Sequence, residues 1–522
     1  MQALEAATSF EIPERMKFKF REIKNIFKHQ IKFLPSTGQQ EVQAGQTIMC
    51  ELPTNTVVDL ASFTMQYVAR TTHNGKDDAG AANYDQSRFF PSNSASIIQE
   101  LTVDINGQSR FSLNDYNLVW NILFDNTAAQ DSLYRRSAGS ENADPSRKHF
   151  KLGDDIMERR GYPIAKNPGA AGVTTDDLKI AYDEQLYIIR SWLGLCSSQA
   201  TTTIIDTTLL GSVVIKIRLA PPTILCLGQE NTEAITAVAA NLSEFGIARA
   251  AVAANTTVID AQVANYKLKD IVFTMNRYDL PSEFYKGEMA KLGTGGVFRI
   301  FFPNYSVFTG PSVQAGNKKG VSRASVSTKS LDWVIGTFRL PNYTNIEKPL
   351  LTLISDANEG ERGEGIATFD SQCRNGLRRL FNNSRYFCRN GSSITKCKWE
   401  IGSGDYKDRT LEEQFNQLLL HYNIANDQTG GMYPGIQSIH QWQECFYTDL
   451  LSLSIENTDP YCVSGLDTKA TPVQISWYVD SEAIGPIDTL IPDEEALCTP
   501  YIICGYTSCL EIRGGRQITL IL

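Results

Sequence analysis

The residue types that perform chemistry are all present in this chain, but the spacings that chemistry requires are not. Five histidines stand at His29, His73, His149, His421 and His440, and only His440 has a cysteine near it, Cys445. The Cys504 and Cys509 pair lacks a second pair at zinc-ligand spacing, so these residues read as structural or surface groups and no metal site is expected. Gly316-Asn317-Lys318-Lys319-Gly320 departs from the spacing of a phosphate-binding loop. Gly293-Thr294-Gly295-Gly296 precedes a strand, whereas a phosphate loop follows one and opens a helix; both segments are read as turns. The acid pairs Asp154-Asp155 and Asp176-Asp177 sit in polar stretches, where adjacent carboxylates are solvated and nothing places them in a cleft. The Gly-x-Ser-x-Gly elbow of a hydrolase is missing as well. These residues imply no catalytic site, no cofactor and no enzyme.

Two basic features remain. Between Arg15 and Lys32 lie seven cations, Arg15, Lys17, Lys19, Arg21, Lys24, Lys28 and Lys32, against the single acid Glu22. That stretch carries +6 on a chain whose formal charge is −9, leaving −15 for the rest, a basic arm on an acidic body. Lys17-Phe18-Lys19-Phe20 alternates like a strand, while Met16, Phe20, Ile23, Phe27 and Ile31 recur at helical steps; a helix is expected from about Phe20 onward. Such an arm either packs on the body with its lysines in water, or faces nucleic acid or an acidic partner through salt-sensitive attraction. The second feature runs from Cys373 to Gly391, where Arg374, Arg378, Arg379, Arg385 and Arg389 occur with no acid among them. Guanidinium groups pair with carboxylates and phosphates, which points to contact with a neighbouring copy's acidic surface ahead of DNA; the repeated Asn-Gly is by itself a turn signal.

The elements that would carry these groups are strands. Ile48, Cys50 and Leu52 fall on one face of Thr47–Leu52, and Ile215, Ile217 and Leu219 face opposite to Lys216 and Arg218. That alternation marks strands with one buried side. Further strands are expected at 57–68, 186–189, 271–275, 297–302, 331–335, 473–479 and 518–522, with a short helical connector from Leu280-Pro281-Ser282 to near Gly293. One order occurs twice. Leu101 to Ile105 alternates, breaks at Asn106-Gly107 and leads to a helical segment from Tyr116, and Cys397 to Ile401 alternates, breaks at Gly402-Ser403-Gly404 and leads to one from Leu411. Polar or Ala/Thr/Asn-rich insertions at 133–185 and 229–265 interrupt the strands, and loops of such length form contact surfaces.

With 522 residues, 42% hydrophobic and 20% charged, the chain is long enough for two large domains with buried cores. No apolar run approaches the roughly 18 residues a membrane span needs, and the N-terminus lacks a signal-peptide layout, so assembly in the compartment of synthesis is expected. The eleven cysteines, an odd count scattered through strand-like apolar segments such as Ile224 to Leu227 and Ile502 to Cys504, read as reduced, buried hydrophobes ahead of a disulfide frame.

The order of features resembles the double jelly-roll major capsid proteins of polinton-like viruses and virophages. The resemblance rests on Ser96 to Gly107 followed by Asp115-Tyr116-Asn117, and on Tyr266 to Asp279 leading into the connector. It implies an all-β chain of two tandem jelly-roll sandwiches with short helices and long inserted loops: a basic arm at 1–32, a first jelly roll at 33–280, a connector helix at 281–293 and a second jelly roll at 294–522. It further implies a homotrimer forming a pseudo-hexameric capsomer. Neighbouring capsomers with penton and minor capsid proteins would then build an icosahedral virion shell around double-stranded DNA. The arm would lie at the inner base, touching packaged DNA without sequence preference, and the two insertions would face outward or toward other subunits. A receptor- or carbohydrate-binding spike built of β-sandwiches is the alternative, with the same strand content and no further assembly.

Overall fold

The computed structural model describes residues 27–36, 38, 41–71, 88–89, 94–127, 185–224, 226–227, 266–279, 296–311, 313, 317–339, 343, 385–387, 389, 391, 394–421, 439, 442–443, 446–454, 465–469, 473–484, 499–513 and 517–522. The connector at 281–293, the histidines at 73, 149 and 440, the acid pairs and nearly all of both insertions lie outside the described residues.

The first half contains β1 (Phe27–Phe33), β2 (Glu41–Gln43), β3 (Thr47–Glu51), β4 (Val57–Thr71), β5 (Arg88–Phe89), β6 (Ile98–Ile105) and β7 (Gln108–Asn114). Helix α1 (Tyr116–Thr127) follows, then β8 (Gln185–Ile189), β9 (Ile204–Asp206), the short α2 (Thr207–Leu210), β10 (Val213–Leu219), β11 (Cys226–Leu227) and β12 (Tyr266–Asp279). The second half contains β13 (Phe298–Thr309), β14 (Asn317–Ser325), β15 (Leu331–Arg339), β16 (Ile394–Ile401) and β17 (Gly404–Thr410). Helix α3 (Leu411–His421) leads on to β18 (Asp449–Ser452), β19 (Gln474–Ile484), β20 (Thr499–Arg513) and β21 (Gln517–Ile521).

These strands form two sandwiches of one topology. In the first, a sheet ordered β1-β12-β4-β8 faces a sheet ordered β3-β10-β6-β7; in the second, β13-β20-β15-β18 faces β14-β19-β16-β17. Taken in chain order, the eight strands of one half correspond one for one to the eight of the other, and α1 and α3 occupy the same place between β7 and β8 and between β17 and β18. Every pairing between the described strands is antiparallel, and no described strand of one half pairs with a strand of the other. The fold is a tandem of two jelly rolls.

Local sequence explains the hairpins that start each repeat. Asn106 and Gly107 both take positive φ, 52° and 73°, which closes β6 onto β7 with Ile105 opposite Gln108. Positive φ at both central residues is the mirror-image turn that matches strand twist, and Asn-Gly tolerates it best. The second hairpin closes Ile401 onto Gly404 with positive φ at Gly402 alone. Thr410 and Glu413 then cap α3 reciprocally: the Thr410 amide donates to Glu413 Oε2 at 2.8 Å, and the Glu413 amide donates to Thr410 Oγ1 at 3.4 Å.

Alternation is followed closely inside the sheets. Ile48, Cys50 and Leu52 are buried, as are Val213, Ile215, Ile217 and Leu219, while Arg218 on the opposite face is exposed. The buried apolar side chains of the two sandwiches belong to one connected network that crosses between them.

Two local expectations fail. The helix expected from Phe20 onward is a strand over its described part: β1 pairs with β12 from Phe27 opposite Asp279 to Phe33 opposite Phe273. Phe27 and Ile31 are four residues apart, a spacing that puts them on one face of a helix or of a strand alike, and the open edge of β12 selects the strand. Phe33 stacks on Phe273 at 5.8 Å, so β1, with Lys28 and Lys32, is part of the first sandwich. Likewise Asn317–Gly320, expected as a turn, open β14 by pairing with β19.

Candidate functional site

Among the described residues the buried thiols and the most buried carboxylate are all held in the interior. Among the described residues no cluster of three or more His, Cys, Asp or Glu side chains could hold a metal ion. Cys50, Cys196, Cys397, Cys504 and Cys509 are buried free thiols. Burial pushes the Cys196 thiol up to about 12 and raises Cys50 and Cys504 above the ordinary range, so these sulfurs stay protonated and unreactive. Among the described carboxylates the most deeply buried, Asp449 on β18, is fully engaged. Its Oδ2 accepts from Trp399 Nε1 at 2.9 Å and Trp477 Nε1 at 2.8 Å, and its Oδ1 accepts from Arg409 Nη2 at 2.7 Å. Burial holds the Asp449 carboxyl above the usual range, with the Arg409 charge and the two indoles drawing it back down. Nothing in the periodicity marks Asp449: it is an acid directly ahead of the apolar run Leu450-Leu451, in a strand too short to show a period.

Of the cationic candidates, Arg15, Lys17, Lys19, Arg21, Lys24, Arg374, Arg378 and Arg379 lie outside the described residues. Arg385 opens a single 3-10 turn at Arg385–Phe387. Arg389 is 0% exposed, with Nη1 donating to the Phe387 carbonyl at 3.3 Å and its guanidinium 5.9 Å from the Phe446 ring. Expected on a surface facing a neighbouring copy, it is instead an interior residue, because its backbone bridges to Arg339 and Phe446 at the end of the second sandwich. Arg339 is buried there too, 3.6 Å from the Tyr343 ring centroid and 4.3 Å from that of Tyr386, with Nη2 donating to the Tyr386 carbonyl at 2.9 Å. Lys28 and Lys32 are exposed on β1, on the strand face opposite Ile31 and Phe33.

The feature most unlike an isolated globular protein is the junction between the sandwiches. The outer edge of β13 is capped from the first half: the Thr201 amide donates to the Phe301 carbonyl at 2.9 Å and the Phe301 amide donates to Thr201 Oγ1 at 3.0 Å. Beside it, Phe302 of β13 meets Phe111 of β7 edge to face at 6.3 Å. Gly194 permits this, since a Cβ there would lie 2.3 Å from the Phe111 ring. Arg110 Nη2 donates to the Ile518 carbonyl at 2.7 Å, and Tyr386 OH donates to Gln99 Oε1 at 3.1 Å. The second sandwich thus seats its β13 side on the β7 side of the first.

The topological counterparts of these two surfaces are open. β1 corresponds to β13, yet five of its seven residues are exposed and none is buried, whereas four of the twelve in β13 are buried. β17 corresponds to β7. Phe111 and Leu113, opposite Val103 and Leu101, are buried, while Tyr406 and Arg409, opposite Trp399 and Cys397, are partly exposed. The open surfaces also differ in charge. β1 carries Lys28 and Lys32 with no acid; β17 and the first turn of α3 carry Asp405, Asp408, Glu412 and Glu413 with Lys407, while Arg409 turns inward to Asp449.

No family model matches the sequence, and no curated protein matches it. Among solved structures the chain is similar to one in the 3.5 Å cryo-EM structure of the Sputnik virophage, with a TM-score of 0.52 and 10% identity over 99% of this chain and 92% of that one. It is similar to PBCV-1 VP54 as fitted into a cryo-EM reconstruction of the virophage Sputnik, with a TM-score of 0.50 and 11% identity over 97% and 99% of the two chains. The quasi-atomic model of the PBCV-1 virus capsid gives a TM-score of 0.50 and 12% identity over the same shares. The likeness is one of fold and spans both sandwiches.

Proposed function

We propose that this chain is a structural subunit of a viral capsid, a major capsid protein that trimerises into pseudo-hexameric capsomers and builds an icosahedral shell around double-stranded DNA. The observation that carries the reading is the tandem itself. Two sandwiches of one strand order are fused through a β13-on-β7 junction, and the counterparts of both joined surfaces stand open at the two ends. A unit with unlike, complementary ends associates head to tail, and such contacts close into a ring when the rotation allows. Three copies would present six similar sides, the shape that tiles a shell through many modest contacts acting together. The near full-length likeness to chains from the PBCV-1 capsid and the Sputnik virophage supports the same reading.

In this reading the partners are two further copies, neighbouring capsomers, and penton and minor capsid proteins at the vertices and seams. Arg374, Arg378, Arg379 and Arg385 belong to intersubunit contacts. Arg15, Lys17, Lys19, Arg21 and Lys24 face the inner base, where they meet packaged DNA through salt-sensitive phosphate contacts. The chain is not an enzyme, and its location is the virion shell. Electron microscopy of the purified protein tests the proposal: flat pseudo-hexagonal trimers or closed shells are expected, and monodisperse monomers at all concentrations overturn it.

A further inference from the structure

We infer that the cationic edge formed by β1 seats on the acidic β17 and α3 side of a second copy's second sandwich, repeating between chains the junction that β13 and β7 make within one. The inference rests on the proposed assembly of repeated copies, and it names the two surfaces that meet and the charge that orients them.

Three observations converge on this pair of surfaces. The internal junction shows what the fold does with the two positions: it covers β7 with the β13 side and caps the β13 edge with backbone hydrogen bonds to Thr201. β1 holds the β13 position in the first sandwich, paired to β12 on one side and to no described strand on the other. An unpaired strand edge flanked by large exposed apolar side chains, Phe27 at 62% and Leu34 at 61%, is an association surface unless something covers it. On the β17 side, Leu420 of α3 is 57% exposed. The two surfaces are therefore both incomplete by the standard the molecule sets for itself.

Charge then fixes which surfaces pair. Lys28 and Lys32 share one face of β1, and no acid lies between Phe27 and Phe33. Asp408 and Glu412 are exposed and stand outside the Asp449 network. Two β1 surfaces meeting each other would oppose four lysines, and two β17 surfaces would oppose their acids; only the unlike pairing brings opposite charges together. Complementary rim charges steer encounter and penalise wrong pairings more than they add affinity. The attraction weakens with salt over a Debye length of about 8 Å at physiological ionic strength.

Charge reversal and charge exchange in the full chain test this, with oligomeric mass followed by sedimentation and light scattering. All four side chains are exposed, so circular dichroism and melting temperature stay at the wild-type values. Lys28→Glu with Lys32→Glu, and separately Asp408→Lys with Glu412→Lys, are each expected to weaken association by on the order of tenfold or more. Combining the four substitutions restores the attraction with its sign exchanged and recovers the wild-type oligomer. If the wild type associates while either reversed pair associates equally well, or while the combined variant stays as weak as its parents, these two surfaces do not meet and the inference falls, leaving the capsid reading in place. A wild type that never associates overturns both.

Discussion

The two sandwiches solve one packing problem with different chemistry. At the same register of the same strands, Val103 opposes Ile215 in the first and Trp399 opposes Trp477 in the second. Two aliphatic side chains fill the first site by burial alone. In the second, two indoles 5.7 Å apart and nearly parallel fill a larger space, and each has a polar N–H that must find an acceptor away from water. Asp449 supplies it for both, Arg409 supplies the countercharge, and Gly336 on β15 leaves room, since a Cβ there would lie 2.4 Å from the Trp477 ring. The contrast teaches that pairing order and turn chemistry specify the jelly roll, while the contents of the core are free to differ provided that buried indole N–H groups such as these find an acceptor.

Breaking the second solution has the largest expected effect. Asp449→Ala strands two indole N–H groups and leaves a guanidinium at 12% exposure without its carboxylate. Removing one partner of a buried ion pair costs about 3 to 5 kcal/mol. Urea denaturation followed by tryptophan fluorescence checks this; a loss under about 1 kcal/mol would show that water replaces the carboxylate, and that the second core is no more demanding than the first. The next effect sharpens the comparison. Gly336→Ala is expected to cost about 1 to 3 kcal/mol by overpacking against Trp477. In a Trp477→Ile background, which installs the first sandwich's residue at that position, the added methyl group meets open space and its cost should vanish. Equal penalties in the two backgrounds, measured as a double-mutant cycle, would mean that the indole does not set the requirement for glycine.

Much of the fold was legible because a strand with one wet face writes its period into the sequence. Thr47–Leu52 and Val213–Leu219 alternate, with Met49 and Val214 as apolar exceptions on the outer face, and the hairpin-then-helix order from Leu101 and from Cys397 exposed the duplication. Legibility failed where period and pairing part company. Phe27 and Ile31 satisfy helix and strand alike, and only the vacant edge of β12 decides between them. Asn317–Gly320 carries turn residues, yet β19 supplies a ladder that overrides them. Arg389 looked like a surface cation because no acid stood near it in sequence, but it is buried, where its guanidinium donates to the Phe387 carbonyl. The acceptor that two tryptophans share comes from a third strand, Asp449, a relation that single-strand periodicity does not contain. The open ends were legible least of all, since exposure of β1 and β17 acquires meaning only beside their covered counterparts.

The smallest expected effect separates the two hairpins that start the repeats. Asn106 sits at φ 52° and Gly107 at 73°, whereas in the other turn Gly402 alone is positive at 61°. A left-handed backbone costs an ordinary L-residue roughly 1 to 2 kcal/mol, part of which an Asn side chain relieves by local hydrogen bonding. Asn106→Ala should therefore destabilise the first sandwich by about 1 kcal/mol, while Ser403→Ala, at the exposed second position of the other turn, where Gly402 before it already carries the positive φ, should stay within about 0.5 kcal/mol of wild type. Chemical denaturation of the two variants side by side checks the pair. An equal response would mean that both turns tolerate alanine alike and that the register of β6 on β7 is set by the opposed Val103 and Phe111 rather than by the turn, which would place the origin of the repeat in its core and not in its loops.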